Sequence, residues 1–118
     1  MSIQVNLDKH DIVLHISGLT ALANLRKEVR IPYDSIVNVR AEHFEFPWSA
    51  VKRTGIAMPN GYKAGHFLHA GQQYFMAYRD ADQAVVLDLK GCEFDKAVLQ
   101  SGESGQLAER IMQHCALT

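Results

Sequence analysis

The 118-residue sequence is poor in several residue types, and each shortage excludes a class of protein. Its two cysteines, Cys92 and Cys115, do not make a disulfide framework and favour a reducing compartment. No apolar run approaches the roughly 20 residues that a membrane-spanning helix needs. The first eight residues lack the basic and apolar regions of a secretory signal, so we expect a cytoplasmic protein. A formal net charge of −1 argues against nucleic acid as a partner, because domains that bind it are usually strongly basic.

The overall composition is that of an ordinary globular protein. Hydrophobic residues make up 47% of the chain and charged residues 21%. The length suits one domain, and no internal repeat, low-complexity segment or linker interrupts it. We therefore expect a single domain over residues 1–118.

The near-neutral balance hides an uneven distribution of charge. Residues 1–45 have a net charge of −1, residues 46–79 contain no acid and four bases, and residues 80–118 have a net charge of −4. The four bases of the middle segment are Lys52, Arg53, Lys63 and Arg79. Two interpretations remain open: the middle segment forms an anion-binding surface, for example for lipid headgroups, or it lies against the acidic segment and the charges cancel.

Alternating apolar residues predict short β-strands along most of the chain. At the N-terminus Ile3, Val5 and Leu7 alternate with polar residues, which is the period of a strand with one buried face. Similar runs, separated by turn residues, recur as far as Leu99. We expect about seven antiparallel strands in a β-barrel or sandwich.

Three details of this strand pattern can be checked against the structure. Pro32 cannot donate a hydrogen bond to a neighbouring strand, so we expect strand pairing to stop or bulge there. In the strand from Ile36 to Glu42, either Ile36 and Asn38 or Val37 and Val39 face the core, and we favour the valines. Further on, Gly71 and Gln72 read as the turn of a hairpin.

The period changes near the C-terminus. Ala108, Ile111, Met112 and Cys115 follow the spacing i, i+3, i+4, i+7, which places them on one face of a helix. Either Ser101 or Ser104 can serve as its N-cap residue. We expect an amphipathic helix over about residues 104–116 that caps the β structure.

Three stretches of the sequence resemble bacterial pleckstrin-homology (PH)-like domains. They are Ile31–Ile36 (IPYDSI), Arg53–Phe67 (RTGIAMPNGYKAGHF) and Leu107–Ile111 (LAERI), in the order of that family. The resemblance implies a PH-like barrel and a binding function in place of catalysis. Some bacterial PH-like domains form ring-shaped homo-oligomers, so the resemblance also implies possible self-association.

An aromatic stretch, Phe44–Trp48, is the most suggestive feature outside the strand pattern. If exposed, it would anchor an interface; otherwise it folds under and closes one end of the barrel. Two bases follow it closely. The candidate interaction surface therefore consists of Phe44, Phe46, Trp48, Lys52, Arg53, Lys63 and Arg79.

No pattern of catalytic or metal-binding residues is convincing. Ser49–Lys52 matches S-x-x-K, but the companion motifs of that chemistry are missing. His66 and His69 are three apart, which on a strand places them on opposite faces. We expect no metal, no cofactor and no enzymatic activity. We expect an interaction module that binds a protein partner or itself; the alternative is anionic lipid or a phosphorylated ligand bound through residues 52–79, and a small enzyme is a remote alternative.

Overall fold

The computed structural model describes residues 2–17, 28–46, 50–57, 63–100 and 103–115, which form nine strands and one α-helix. The strands are β1 Ser2–Leu7, β2 Asp11–Ser17, β3 Glu28–Pro32, β4 Ile36–Ala41, β5 Val51–Ala57, β6 Lys63–His69, β7 Gln72–Tyr78, β8 Ala84–Leu89 and β9 Lys96–Gln100. The helix is α1, Ser104–Cys115. Short 3₁₀ turns, Tyr33–Ser35 and Ala81–Gln83, precede β4 and β8.

The strands form two sheets. One is antiparallel with the order β1–β2–β3, and the other has six strands in the order β4–β8–β9–β7–β6–β5. Neighbouring strands are antiparallel except β7 and β9, which run parallel. The predicted mainly β fold with one C-terminal helix is confirmed. In the described part of the chain, however, the sheets do not close into a barrel, and the expectation of antiparallel strands alone is wrong for β7 and β9.

The main core lies between the two sheets and α1. Side chains from all three fill it, and several of them are fully buried. Examples are Ile12 and Leu14 on β2, Leu87 on β8, Leu99 on β9 and Ile111 on α1. Burial of apolar surface stabilises the fold by about 25 cal/mol per Å². The helix is thus held by the apolar face that its sequence period predicts.

The six-stranded sheet also buries apolar side chains on its opposite face. A second cluster there contains Phe67, Tyr74, Met76, Tyr78, Ala84, Val86 and Val98. Central strands that are buried on both faces have nearly continuous apolar sequences, which accounts for the run Ala84–Leu87.

The chain passes from the smaller sheet to the larger one at a corner around Tyr33. β3 ends at Pro32, which confirms the expectation that pairing stops at this proline. The hydroxyl of Tyr33 donates to the carbonyl oxygen of Asp8 at 2.7 Å. The Tyr33 ring stacks on His114 of α1, with 5.1 Å between ring centroids. This one side chain therefore links the β1–β2 turn, the corner and the helix.

Strand β4 differs from the prediction because it contains a bulge. Its register with β8 shifts between Ile36 and Asn38, so Val37 has no partner residue. Across the extra residue the alternation is broken, and Ile36 and Val39 are buried together. Val37 is 57% exposed. The expectation that Val37 and Val39 both face the core is therefore wrong for Val37.

The β6–β7 hairpin turns one residue earlier than predicted. His69 pairs with Gln72, so the two turn residues are Ala70 and Gly71, in place of Gly71 and Gln72. Both have positive φ, 51° for Ala70 and 78° for Gly71. A two-residue turn with positive φ at both positions is of type I′, the turn that favours Asn-Gly.

We expect Ala70→Asn to raise the free energy of unfolding by about 0.5–1 kcal/mol, because asparagine tolerates the left-handed conformation better than alanine does. Urea unfolding of the two proteins measures the difference. Gly71→Ala is the opposing control, since it places a β-carbon at φ 78° and is expected to destabilise the turn. Equal stability of Ala70→Asn and the parent would contradict the assigned turn.

Candidate functional site

The described aromatic residues after β4 pack against the six-stranded sheet. The ring of Phe44 meets Tyr78 edge-on, and that of Phe46 meets Phe67 edge-on, each with 5.6 Å between centroids. Both Phe44 and Phe46 are half-buried. Of the two alternatives for this stretch, folding onto the sheet describes these two rings better than free exposure does. Trp48 lies outside the described residues.

Backbone and side-chain contacts hold this segment to the turn that precedes β8. The backbone N–H of Phe44 donates to the carbonyl oxygen of Ala81 at 3.0 Å. Beside it, Nδ1 of His43 lies 2.5 Å from Oδ1 of Asp82, with both side chains largely exposed. The position of Phe44 is therefore held by a backbone hydrogen bond as well as by its ring contact with Tyr78.

Lys63 contacts Phe46 and lies opposite the tyrosine that Phe44 contacts. Its Nζ lies 5.0 Å from the centroid of the Phe46 ring, which is cation–π geometry. In the sheet register Lys63 is opposite Tyr78, the residue that Phe44 contacts. The structure thus brings Phe44, Phe46 and Lys63 together at one end of β6 and β7.

The hydroxyl of Tyr78, the residue that Phe44 contacts, does not ionise at neutral pH. Burial raises the pKa of Tyr78 to about 12, so the phenol stays protonated at neutral pH. A general base has to be deprotonated near the working pH. The Tyr78 hydroxyl is therefore not a general base at neutral pH.

The other predicted bases lie on the same half of the sheet but further apart. Lys52 is on β5, opposite Phe67 of β6, four residues along from Lys63. At about 3.3 Å per residue, these two positions are about 13 Å apart along the strand. Arg53 is the extra residue of a bulge, since the register shifts between Lys52 and Thr54.

Arg79 follows the last residue of β7, next to the register partner of Lys63. Its backbone N–H donates to Oε1 of Gln100 at 2.5 Å. Strands β5, β6 and β7 are consecutive in the sheet, and no acidic residue occurs between residues 46 and 79. The bases are therefore distributed over a part of the sheet whose own strands contain no acid, although Oδ2 of Asp95 accepts from the backbone N–H of Gln73 on β7 at 2.8 Å.

Strand β5 forms the outer edge of this half. In the described part of the chain it pairs with β6 and with no other strand. Val51, its first residue, is 59% exposed. The sequence did not single out Val51. Its exposure depends on the place of β5 in the sheet, which the local sequence pattern does not specify. Among the described residues, the exposed large hydrophobics are Val37 and Val51, one on each edge strand of the six-stranded sheet.

The acidic C-terminal segment partly satisfies its own charges. Oδ1 of Asp88 accepts from Nζ of Lys96 at 2.7 Å and from Nη2 of Arg40 at 3.2 Å. Neither base belongs to residues 46–79. The carboxylate of Asp88 is thus paired with bases outside the middle segment.

A depression lies on the smaller sheet. It has a volume of about 280 Å³ and is lined by Asn6, Leu7, Asp8, Val13, His15 and Arg30. The Arg30 guanidinium is already engaged, with Nε 2.8 Å from Glu28 and Nη1 3.4 Å from Asp11. The Glu28 hydrogen bond raises the pKa of Arg30. Carboxylates therefore already engage the cation of this depression.

Metal centres and membrane-spanning helices are both absent from the described residues. There, no three His, Cys, Asp or Glu side chains come together as a metal site requires. His66 packs edge-on against Phe94 and His69 against Tyr74, on opposite faces of the sheet as predicted. No helix in the described ranges is both long and apolar enough to cross a bilayer.

We expect Phe46→Ala to lower the free energy of unfolding by about 2 kcal/mol, less than the roughly 3–5 kcal/mol of a fully buried Phe, because the ring is half-buried. Chemical denaturation measures this loss. The exposed neighbour Glu45 supplies the control, since Glu45→Ala is expected to leave stability unchanged. If both variants were as stable as the parent, the contact between Phe46 and Phe67 would contribute nothing to the fold.

The chain was also compared with known proteins. No family model, curated protein or solved structure matches it. The likeness of Ile31–Ile36, Arg53–Phe67 and Leu107–Ile111 to bacterial PH-like domains therefore remains a proposal. What this chain binds has to be inferred from the geometry of β5, β6 and β7.

Proposed function

We propose that the chain is a non-catalytic interaction module, similar to bacterial PH-like domains, that binds a protein partner through the β5–β7 half of its larger sheet. The supporting observation is the combination on β5: an edge strand with an exposed valine followed directly by two bases, Lys52 and Arg53. Edge strands offer backbone groups for pairing with another chain, and exposed apolar side chains add contact area.

The arrangement of the bases favours a protein over a membrane or a single phosphate. A basic residue near an anionic membrane contributes only about 1 kcal/mol, and this half of the sheet has four. The positions of Lys52 and Lys63 are about 13 Å apart along the strand, so the positive charge is spread over several residues of the sheet. Distributed charge beside an exposed valine suits a protein surface of opposite charge.

Site-specific photo-crosslinking tests this function. A photoreactive amino acid replaces Val51 in one protein and Val37 in a second, and both are irradiated in cells of the source organism. Val37 is the matched control, being the same residue type at nearly the same exposure on the opposite edge of the sheet. We expect protein adducts from position 51 that are absent from position 37.

The mass and kind of adduct distinguish the alternatives. An adduct with twice the mass of the chain would identify self-association. Adducts of other masses would identify a different protein partner. Identical adducts from both positions, or none from position 51, would contradict the proposal. Sedimentation with phosphatidylserine vesicles but no protein adduct would replace it with the lipid alternative.

A further inference from the structure

The two edges of the six-stranded sheet are not equivalent. On β4, a bulge leaves Val37 without a partner, and the backbone N–H of Val39 already donates to Oδ1 of Asn38 at 3.0 Å. Helix α1 also packs against β4. The hydrogen bond to Asn38 and the packing of α1 hinder the addition of another strand at β4. The β4 edge is therefore poorly suited to pairing with a second chain.

The β5 edge also has a bulge, but α1 packs on β4 and β8, at the other side of the sheet. After the bulge at Arg53, Thr54 to Ala57 pair with β6 without interruption. The whole strand has seven residues, about 20 Å at about 3.3 Å per residue. Its side away from β6 is long enough to pair with an extended segment of similar length.

The charge around β5 specifies what such a segment would contain. Lys52 and Arg53 are on β5 itself, and Lys63 is on the adjacent strand. Acidic side chains would complement these bases, and an apolar side chain near Val51 would cover its exposed surface.

We infer that the β5 edge binds an extended segment of a partner protein that alternates acidic and apolar residues and pairs with β5 as an added strand. This inference rests on the proposed function and specifies its binding mode. Main-chain hydrogen bonds to β5 provide the affinity, as in other cases of strand addition. The bases select acidic over basic segments, and Val51 contributes an apolar contact.

Titration with a synthetic peptide tests the inference. The probe is a fluorescent ten-residue peptide of alternating Glu and Val, followed by anisotropy. We expect Val51→Asn to weaken binding about threefold or more through loss of apolar contact, and Val37→Asn to leave it unchanged. Both valines are exposed, so neither change is expected to disturb the fold.

Charge is tested with a second matched pair of variants. We expect Lys52→Glu with Arg53→Glu to weaken binding about tenfold or more, and Lys9→Glu with Lys90→Glu to change it less than about twofold. Lys9 and Lys90 are exposed and lie in other parts of the chain. The two double variants change the net charge equally, so a difference between them reports position alone.

Strand pairing is separated from simple charge attraction by two further peptides. An alternating Lys-Val peptide tests the sign of the charge, and a Glu-Val peptide methylated at every backbone nitrogen keeps the acids and the valines but cannot donate backbone hydrogen bonds. We expect neither to bind. Equal binding of the methylated and unmethylated Glu-Val peptides would overturn strand addition, as would equal losses in Val37→Asn and Val51→Asn. If no peptide binds although position 51 crosslinks to a protein, the inference fails and the proposed function stands.

Discussion

Ile111→Ala is expected to lower the free energy of unfolding by about 3 kcal/mol, within the range for removing a buried isoleucine side chain. Ile111 is fully buried and belongs to the core shared by both sheets and α1. Alanine leaves a cavity where the helix meets the sheets, and the surrounding strands can close it only in part. Urea unfolding followed by far-ultraviolet circular dichroism measures the change.

The matched control for Ile111 is on the same helix. Gln113 is exposed, so Gln113→Ala is expected to leave stability unchanged or slightly higher because alanine favours helix. A loss below about 1 kcal/mol for Ile111→Ala would contradict the docking of α1 on the core. The predicted apolar face of α1 would then have no structural partner.

Asp88→Ala is expected to cost about 2 kcal/mol at pH 7, because it removes the hydrogen-bonded partner of Lys96 and of Arg40. Asp88 lies on β8, between β4 and β9. Its side chain is 28% exposed and that of Lys96 25%, so water replaces the lost contacts only in part. The double variant Asp88→Ala with Lys96→Ala is the control, since it leaves no unpaired ammonium at this position.

The same carboxylate gives stability a defined dependence on pH. Partial burial pushes the pKa of Asp88 upward, but the Lys96 hydrogen bond and the charges of Lys96 and Arg40 outweigh it, so the net pKa is lowered. A lowered folded-state pKa stabilises the protein above the ordinary aspartate pKa of about 3.9, and this contribution is lost as pH falls through the lowered value. We expect the stability difference between the parent and Asp88→Asn to shrink from pH 7 to pH 2.5. An unchanged difference would show that ionised Asp88 is not favoured by folding.

Local periodicity accounts for the parts of the fold that the sequence predicts. The alternation of Ile3, Val5 and Leu7 predicts β1, and the spacing of Ala108 and Ile111 predicts α1; both elements are confirmed. Each of these elements has one face toward the core, so its pattern depends only on its own period. Pro32 was informative for a similar reason, because its missing N–H limits pairing wherever it lies.

Other features could not be read from the sequence because they depend on distant residues. The bulge at Val37 is defined by the register with β8, some 50 residues later in the chain. Likewise, the parallel pairing of Phe75 with Ala97 inserts β9 between β7 and β8. Nothing in the alternation of either strand specifies which neighbour it takes.

The candidate site was predictable in composition but not in arrangement. The acid-free middle segment is visible in the sequence, and the sheet order makes β5, β6 and β7 consecutive. Whether Phe46 is exposed depends on Phe67 and Lys63, which lie 17 or more residues away and contact it only in the fold. The exposure of Val51 similarly follows from the place of β5 at the edge of the sheet.

Backbone hydrogen exchange, with and without the alternating Glu-Val peptide, tests the addition of a strand to β5 most directly. Amide groups at a sheet edge exchange quickly, and pairing with another strand protects them. We predict that the peptide slows exchange within Thr54–Ala57 and leaves β4, the opposite edge, unchanged. Slower exchange in β4 alone, or no change in Thr54–Ala57 at a saturating peptide concentration, would contradict the binding of an added strand at β5.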